Sequence, residues 1–452
     1  MNQAAKVGRF RRYAARIPVP TPMTLFEEHP LRQSLNDEVH SRPPIPLRGP
    51  TRISYLAFVH DSGSSDQEHH HLQQLARQLQ ISLPETAKGH LLLDAGDFRL
   101  KWERHNEFSS YTFLRDVDDA EPEDSTALLA VPAAWRKAIP GKLMVASNVV
   151  VLSAGQHPAE ARAAQLADPD RSIIVSRFAD GAGWVFTDFQ IHDGFSRFTI
   201  IDDGLDRRQA GRNVQRILEI ETYRMMALMA FPVAKAISKT LKAAEDELAD
   251  LMDAMAQTDT VPDERDILTR LTRLATEVEH AVARTTYRFG AAAAYYRLVQ
   301  QRTAELRETR HAGYPNITDF IERRLAPAIN TCAAIARRQE ELSARIARSS
   351  QLLRTRVDIA LQQQNQELLG QMNRRAKLQL RLQETVEGLS VVAITYYASQ
   401  LINYVAKGVK HHIEPLTPEI LTAIAIPVIA LAVALGMRRM RKALAAEEGD
   451  HS

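Results

Sequence analysis

Three side chains of one parity are the first place to look for chemistry: Glu103, His105 and Glu107, in the stretch FRLKWERHNEFSSYTFL from Phe98 to Leu114. Alternate residues of a strand point to one face, so two carboxylates flanking an imidazole would be placed to pass protons or to hold a cation. The stretch reads as a hairpin, with Phe98, Leu100 and Trp102 alternating on the way in and Phe108, Tyr111 and Phe113 on the way out. A turn at the tip would break the alignment and leave no shared site. Asp37, Glu38 and His40, in Asn36-Asp37-Glu38-Val39-His40-Ser41-Arg42-Pro43, offer a second set of acid, base or cation-binding groups. The competing reading is a helix end capped by its own polar groups. In His69-His70-His71, adjacent residues point in three directions on a helix, whereas histidines sharing a metal on one face stand three or four apart, so solvated side chains are expected.

A different chemistry is written near the C-terminus. On a helical wheel Thr395, Tyr396, Ser399, Gln400 and Asn403 fall on one side, and Ile394, Ala398, Leu401, Ile402 and Val405 on the other. A helix so divided has a lipid face and a face that wants protein or water. Hydrogen-bonded helix pairing satisfies it. So does an assembly of several copies around an aqueous path, where uncharged oxygens replace part of a cation's hydration shell.

These residues sit in Gly388–Ala406, which carries no charge, and a second uncharged run follows from Ile420 to Met437. A bilayer-spanning helix needs about 20 apolar residues, because every backbone polar group must be bonded internally in lipid. Both runs are expected to cross. Arg374, Arg375, Lys377 and Arg381 precede the first and Arg438, Arg439, Arg441 and Lys442 follow the second, which places both ends in the cytoplasm by the positive-inside rule.

The rest of the chain is expected to form an α+β protein hung on that hairpin: a basic, proline-rich arm over 1–50, an α/β domain over 51–203, long helices over 204–387, the membrane hairpin over 388–442 and a polar tail over 443–452. In the α/β part, Ile53–His60 reads as a largely buried strand and Asp66–Leu83 as an amphipathic helix. Leu128–Val131, Val145–Leu152, Ser172–Phe178, Trp184–Asp188 and Phe195–Ile201 read as strands and Ala159–Leu166 as a helix. Then come Gly211–Gln257, interrupted by Pro232, and Arg265–His311. A third helix runs from Ile317 into the membrane with a kink at Pro327. Its positions Ile335, Leu342, Ile346, Leu353, Val357, Leu361, Leu368, Met372, Gln379, Leu382 and Val386 suit a coiled seam, polar in the middle, and a plain helical hairpin packed on the first two helices is equally open.

With 57 basic against 55 acidic residues the formal net charge is +2, which argues against general attraction to nucleic acid. The single cysteine, Cys332, has no internal partner, which fits a reducing compartment. Met1–Arg16 is basic with no apolar run behind it, so no secretory signal is expected. No glycine-rich phosphate loop, nucleophile elbow or paired cysteine set appears in 51–203, and an enzyme is the least supported class.

Asn36–Pro43, Trp102–Phe108 with Tyr111-Thr112-Phe113, and Glu387–Val391 with Thr395-Tyr396-Tyr397 together resemble a bacterial family of uncharacterised membrane-anchored proteins. The order of parts also resembles the CorA class of divalent-cation channels: cytoplasmic α/β domain, long stalk helix entering the membrane, short outer loop, second span, basic C-terminus. That resemblance implies a homopentamer in the inner membrane with a pore lined by the first span, and a divalent cation as cargo. The Gly-Met-Asn that follows the first span in that class is replaced here by Gly408-Val409-Lys410. The expectation is a CorA-like oligomeric channel or transporter with a cytoplasmic sensing domain. The alternative is a membrane-anchored scaffold or sensor that binds a cytoplasmic partner.

Overall fold

The computed structural model describes residues 28–33, 35–36, 43–60, 65–83, 89–118, 120–166, 173–257, 261–408 and 418–448. They form two compact units. One takes the described residues up to Ala249 together with Arg273–Ile346, and the other takes Asp250–Thr272 together with those from Ala347 onward. The sheet-bearing unit therefore reaches well past residue 203, because later helices close its core.

That unit is built on a ten-stranded sheet: β1 (Thr51–Val59), β2 (His90–Asp94), β3 (Arg99–Arg104), β4 (Phe108–Asp116), β5 (Lys142–Ser153), β6 (Ile174–Phe178), β7 (Gly183–Thr187), β8 (Ile191–His192), β9 (Phe195–Asp202) and β10 (Thr309–Arg310). The order is β10-β6-β7-β9-β5-β1-β4-β3-β2, with β8 on β9. Among the described residues every pairing is antiparallel except β5 with β9. The expected hairpin is β3 and β4, in register Trp102 to Tyr111 and Glu103 to Ser110.

Both faces of the sheet are covered, which is why β1 is buried without alternation from Thr51 to Ala57. On one face Leu56, Leu100, Trp102, Tyr111 and Phe113 pack with Leu72 and Leu75 of α1 (Ser65–Gln78) and Trp135 of α2 (Ala133–Lys137). On the other, Ile53, Tyr55, Val149, Val151, Phe198 and Ile200 pack with Val214, Ile217 and Leu218 of α4 (Arg207–Leu228) and Val299 of α6 (Val261–Glu305). Between these in the chain lie α3 (Ala159–Leu166) and α5 (Ala230–Gln257). Asp206 opens α4 with a capping box: its carboxylate accepts from the amides of Arg208 and Gln209, and its amide donates to Gln209 Oε1. The helical run expected over Gly211–Gln257 breaks at Met229, three residues ahead of Pro232, whose missing N–H cannot continue the ladder.

Three local expectations are corrected. Leu128–Val131 is not a strand: Ala127–Ala130 is a 3₁₀ turn that tucks Leu128 into the core, and Pro132 ends it. Such a short apolar run carries no period of its own. The helix expected to reach His311 stops at Glu305; Arg307 adopts φ 51°, and Thr309–Arg310 become the edge strand β10 on β6. His71 is not solvated but buried, stacked 4.4 Å from the Trp135 ring, whose indole N–H donates to the His71 carbonyl at 2.8 Å.

After α7 (Ile317–Phe320), Ile321–Leu325 forms a π-helical turn that ends two residues before Pro327, and α8 (Ala326–Gly408) follows. The wider turn makes room where a proline ring would press on the carbonyl four residues back, so the expected kink takes the form of a π-bulge. α9 (Pro418–Glu448) completes the chain. Among the described residues one helical segment is long and apolar enough to cross a membrane: Thr422–Arg439, of mean hydropathy 1.6 and with none of its length buried. The end of α8 does not reach that mark, because Ser390, Thr395, three tyrosines, Ser399, Gln400 and Asn403 dilute its apolar residues.

Candidate functional site

A cavity of about 400 Å³ lies between the α4 face of the sheet and the helices that cover it. Its floor is Ile53 and Tyr55 from β1, Lys101 and Glu103 from β3, and Ser110, Thr112 and Leu114 from β4; its roof is Gly211, Val214, Gln215, Leu218, Glu219, Thr222 and Tyr223 from α4, with Leu298 and Arg302 from α6. Ile45 and Leu47 close one end. Their segment is laced down by the Leu47 amide, which donates to the Arg207 carbonyl at 3.0 Å, and by Arg99, which donates to the Pro46 carbonyl at 3.1 Å.

Gly211 makes that closure possible. A Cβ there would stand 2.0 Å from the Ile45 carbonyl oxygen, so only glycine lets the segment run against α4.

The cavity lining has two components. Ile45, Leu47, Ile53, Leu114, Val214, Leu218 and Leu298 are its aliphatic part. The polar part is a ladder of alternating charge and amide. Lys101 Nζ lies 3.0 Å from Glu103 Oε1 and donates to Gln215 Oε1 at 3.2 Å; Gln215 Nε2 donates to Glu219 Oε1 at 2.7 Å. Glu219 then accepts from Arg302, which also donates to both carboxylate oxygens of Glu305 at 3.0 and 3.1 Å. Two cations, Lys101 and Arg302, face two anions, Glu103 and Glu219, so these four charges balance, and His105 lines the cavity beside them. Thr222 Oγ1 stands 2.9 Å from the Tyr55 hydroxyl. Burial pushes the Tyr55 phenol well above its ordinary value, and the nearby Tyr223 and Glu103 add to the effect, so this hydroxyl keeps its proton.

Two of the three residues of the hairpin triplet meet here. Glu103 and His105 both line the cavity, and the His105 ring stacks on Phe108 at 4.3 Å. Glu107 is drawn elsewhere: Arg288 of α6 grips its carboxylate with two hydrogen bonds, at 2.8 and 3.2 Å. The phenol of Tyr295 is raised by burial and then by this same carboxylate. Among the described residues no three His, Cys, Asp or Glu side chains come together to hold a metal ion, so Glu103, His105 and Glu107 are not a ligand set. Asp37, Glu38 and His40 lie outside the described residues.

The polar face of α8 is arranged as follows. Ser399 is buried and its hydroxyl donates to the Tyr396 carbonyl at 2.8 Å; Thr395, Gln400 and Asn403 are half-buried and Tyr396 is exposed. The Thr395 hydroxyl is enclosed without a hydrogen-bond partner.

Lys101, Gln215, Glu219, Thr222 and Arg302 were not singled out by sequence reasoning. Their signal was present: Lys101 shares strand parity with Glu103, and Gln215, Glu219 and Thr222 recur at helical spacing on the face of α4 that also carries the core residues Val214 and Leu218. Polar groups on an inward stripe mark either a satisfied network or a site, and here they border a cavity.

The pattern of a family described as protein of unknown function (DUF3422) matches residues 27–444. No curated protein matches the chain, and no solved structure does.

Proposed function

The chain belongs to the DUF3422 family, and from that premise we propose that it is a membrane-anchored ligand-binding protein, a sensor whose sheet-bearing unit holds a small molecule. The observation that carries the reading is the cavity beneath α4, lined by seven aliphatic side chains and by a ladder of paired charges. Its volume is in the range of small-molecule sites, about 300–1,000 Å³. Two cations balanced by two anions disfavour a simple anion or cation and suit an uncharged or zwitterionic molecule with an apolar body, whose polar end exchanges hydrogen bonds with Lys101, Gln215 and Glu219. The apolar run within α9 supplies the anchor.

The finer placement is a multi-pass protein of the bacterial inner membrane. Basic residues flank both the end of α8 and the end of α9, and a common cytoplasmic side for both flanks requires two crossings. The end of α8 would then cross with its polar face covered.

The test is thermal stabilisation of the purified full chain by a panel of zwitterionic amino acids, simple carboxylates and simple amines. Zwitterions with aliphatic or aromatic side chains are expected to raise the melting temperature of the wild type and to leave Val214→Trp, which fills the cavity, unmoved. Stabilisation by carboxylates alone, or equal shifts in Val214→Trp, would remove the reading.

A second reading, an oligomeric CorA-like channel, is favoured by one observation: the enclosed, unpartnered Thr395 hydroxyl on the same side of α8 as Ser399 and Asn403. There the path would be lined by Thr395, Ser399 and Asn403, with Tyr396 and Gln400 beside them, and the stalk would couple the ligand unit to it. Cation flux into liposomes that is the same for wild type and Asn403→Leu would count against it.

A further inference from the structure

We propose that α8 from Leu361 to Leu389 pairs, parallel and in register, with the same stretch of a second copy of this chain. The unit that contains this stretch shows where cover begins and ends. Leu353 and Val357 are buried beside the end of α5 and the start of α6: Arg356 reaches the Glu264 carboxylate at 3.0 Å and the Met255 carbonyl at 3.1 Å. Beyond them every residue from 362 to 386 is exposed. A lone helix in water gains little from propensity and depends on packing for its stability.

The apolar spacing nevertheless continues from the covered part into the bare part. Leu361, Leu368, Leu382 and Leu389 fall on one heptad position, d, and Asn365, Met372 and Val386 on the other, a. Leucine at d, with a β-branched residue and a single asparagine among the a positions, favours two parallel strands, and the asparagine sets the register. The flanking positions are mostly uncharged, with Gln362, Gln364, Gln371 and Gln383 among them, so two copies meet without like-charge repulsion. Arg375 and Gln379 form one polar layer in the middle, where the arginine stem can lie along the seam with its head in water. Parallel alignment follows from the anchor reading, since both copies enter one bilayer by the same end. The pairing does not depend on what the cavity binds.

The experiment uses the full chain in detergent with Cys332→Ala as background. Leu368→Cys and Leu382→Cys, each alone, are expected to form a disulfide-linked pair under mild copper-phenanthroline oxidation, and Lys377→Cys on the far side of the helix is not. Equal linking at all three positions, or none at Leu368→Cys and Leu382→Cys, overturns the pairing; linking only when Leu368→Cys and Leu389→Cys chains are mixed overturns the parallel register. Light scattering is expected to give the mass of two chains for the wild type and of one for Leu368→Glu/Leu382→Glu. Because both leucines are exposed in the single chain, the melting of the sheet-bearing unit should not move. A wild-type mass of one chain or of five overturns the two-stranded seam.

Discussion

Lys101 Nζ lies 3.0 Å from Glu103 Oε1, and the two side chains are only 9% and 11% exposed. They stand two apart on β3, so both project to the same face of the sheet, under α4. A buried pair of this kind adds little over a well-packed apolar pair, but losing one member strands the other.

Lys101→Met is therefore expected to destabilise the sheet-bearing unit by about 3 kcal/mol, and Lys101→Met/Glu103→Leu to recover most of the loss. Trp102, Trp135 and Trp184, the only tryptophans, are all buried in that unit, so denaturant unfolding followed by tryptophan fluorescence reports it alone. A double variant as unstable as the single one would show that the charges are not acting as a pair.

Gly211→Ala drives a methyl group into the Ile45 carbonyl, 2.0 Å away. The expected cost is about 1–3 kcal/mol, as for overpacking elsewhere. Because the segment of Ile45 and Leu47 closes the cavity, limited proteolysis should cut within 43–48 faster in the variant. An unchanged cutting rate would mean that the segment does not rest on α4 in solution.

Alkali should unfold this unit early. Burial raises the phenols of Tyr55, Tyr111 and Tyr295 above their ordinary value of about 10. Between the unfolded and the raised folded value the folded chain holds the extra protons. Its stability is therefore full below pH about 10 and falls as the pH climbs above it. Tyr55→Phe should flatten part of that slope in melting temperatures measured between pH 9 and 11, and an unaltered slope would assign the effect to other groups.

Removal of 418–448 tests the anchor. Wild-type protein should stay with membranes through alkaline carbonate extraction and the truncated chain should be released. If the truncated chain remains with the membrane fraction, the end of α8 holds it there unaided.

Sequence alone determined whatever depends on neighbours in the chain. The β3–β4 hairpin was legible because alternation of Phe98, Leu100 and Trp102 against Phe108, Tyr111 and Phe113 is a local signal. The breaks near Pro232 and Pro327 were legible because a proline acts on the turn that contains it, and the apolar run within α9 because a span is a matter of length and composition. Tertiary structure decided the rest. Lys101 and Gln215 touch across 114 residues of chain, and Glu107 meets Arg288 across 181; no period in either segment encodes the other. The same long-range choice placed Glu103 and His105 on the cavity while removing Glu107 from it, buried His71 against Trp135, and set β5 beside β9 in a parallel pairing. Side-chain type fixes what a group can do, but only the packing of α4 and α6 onto the sheet decides which groups lose water together and so share a site.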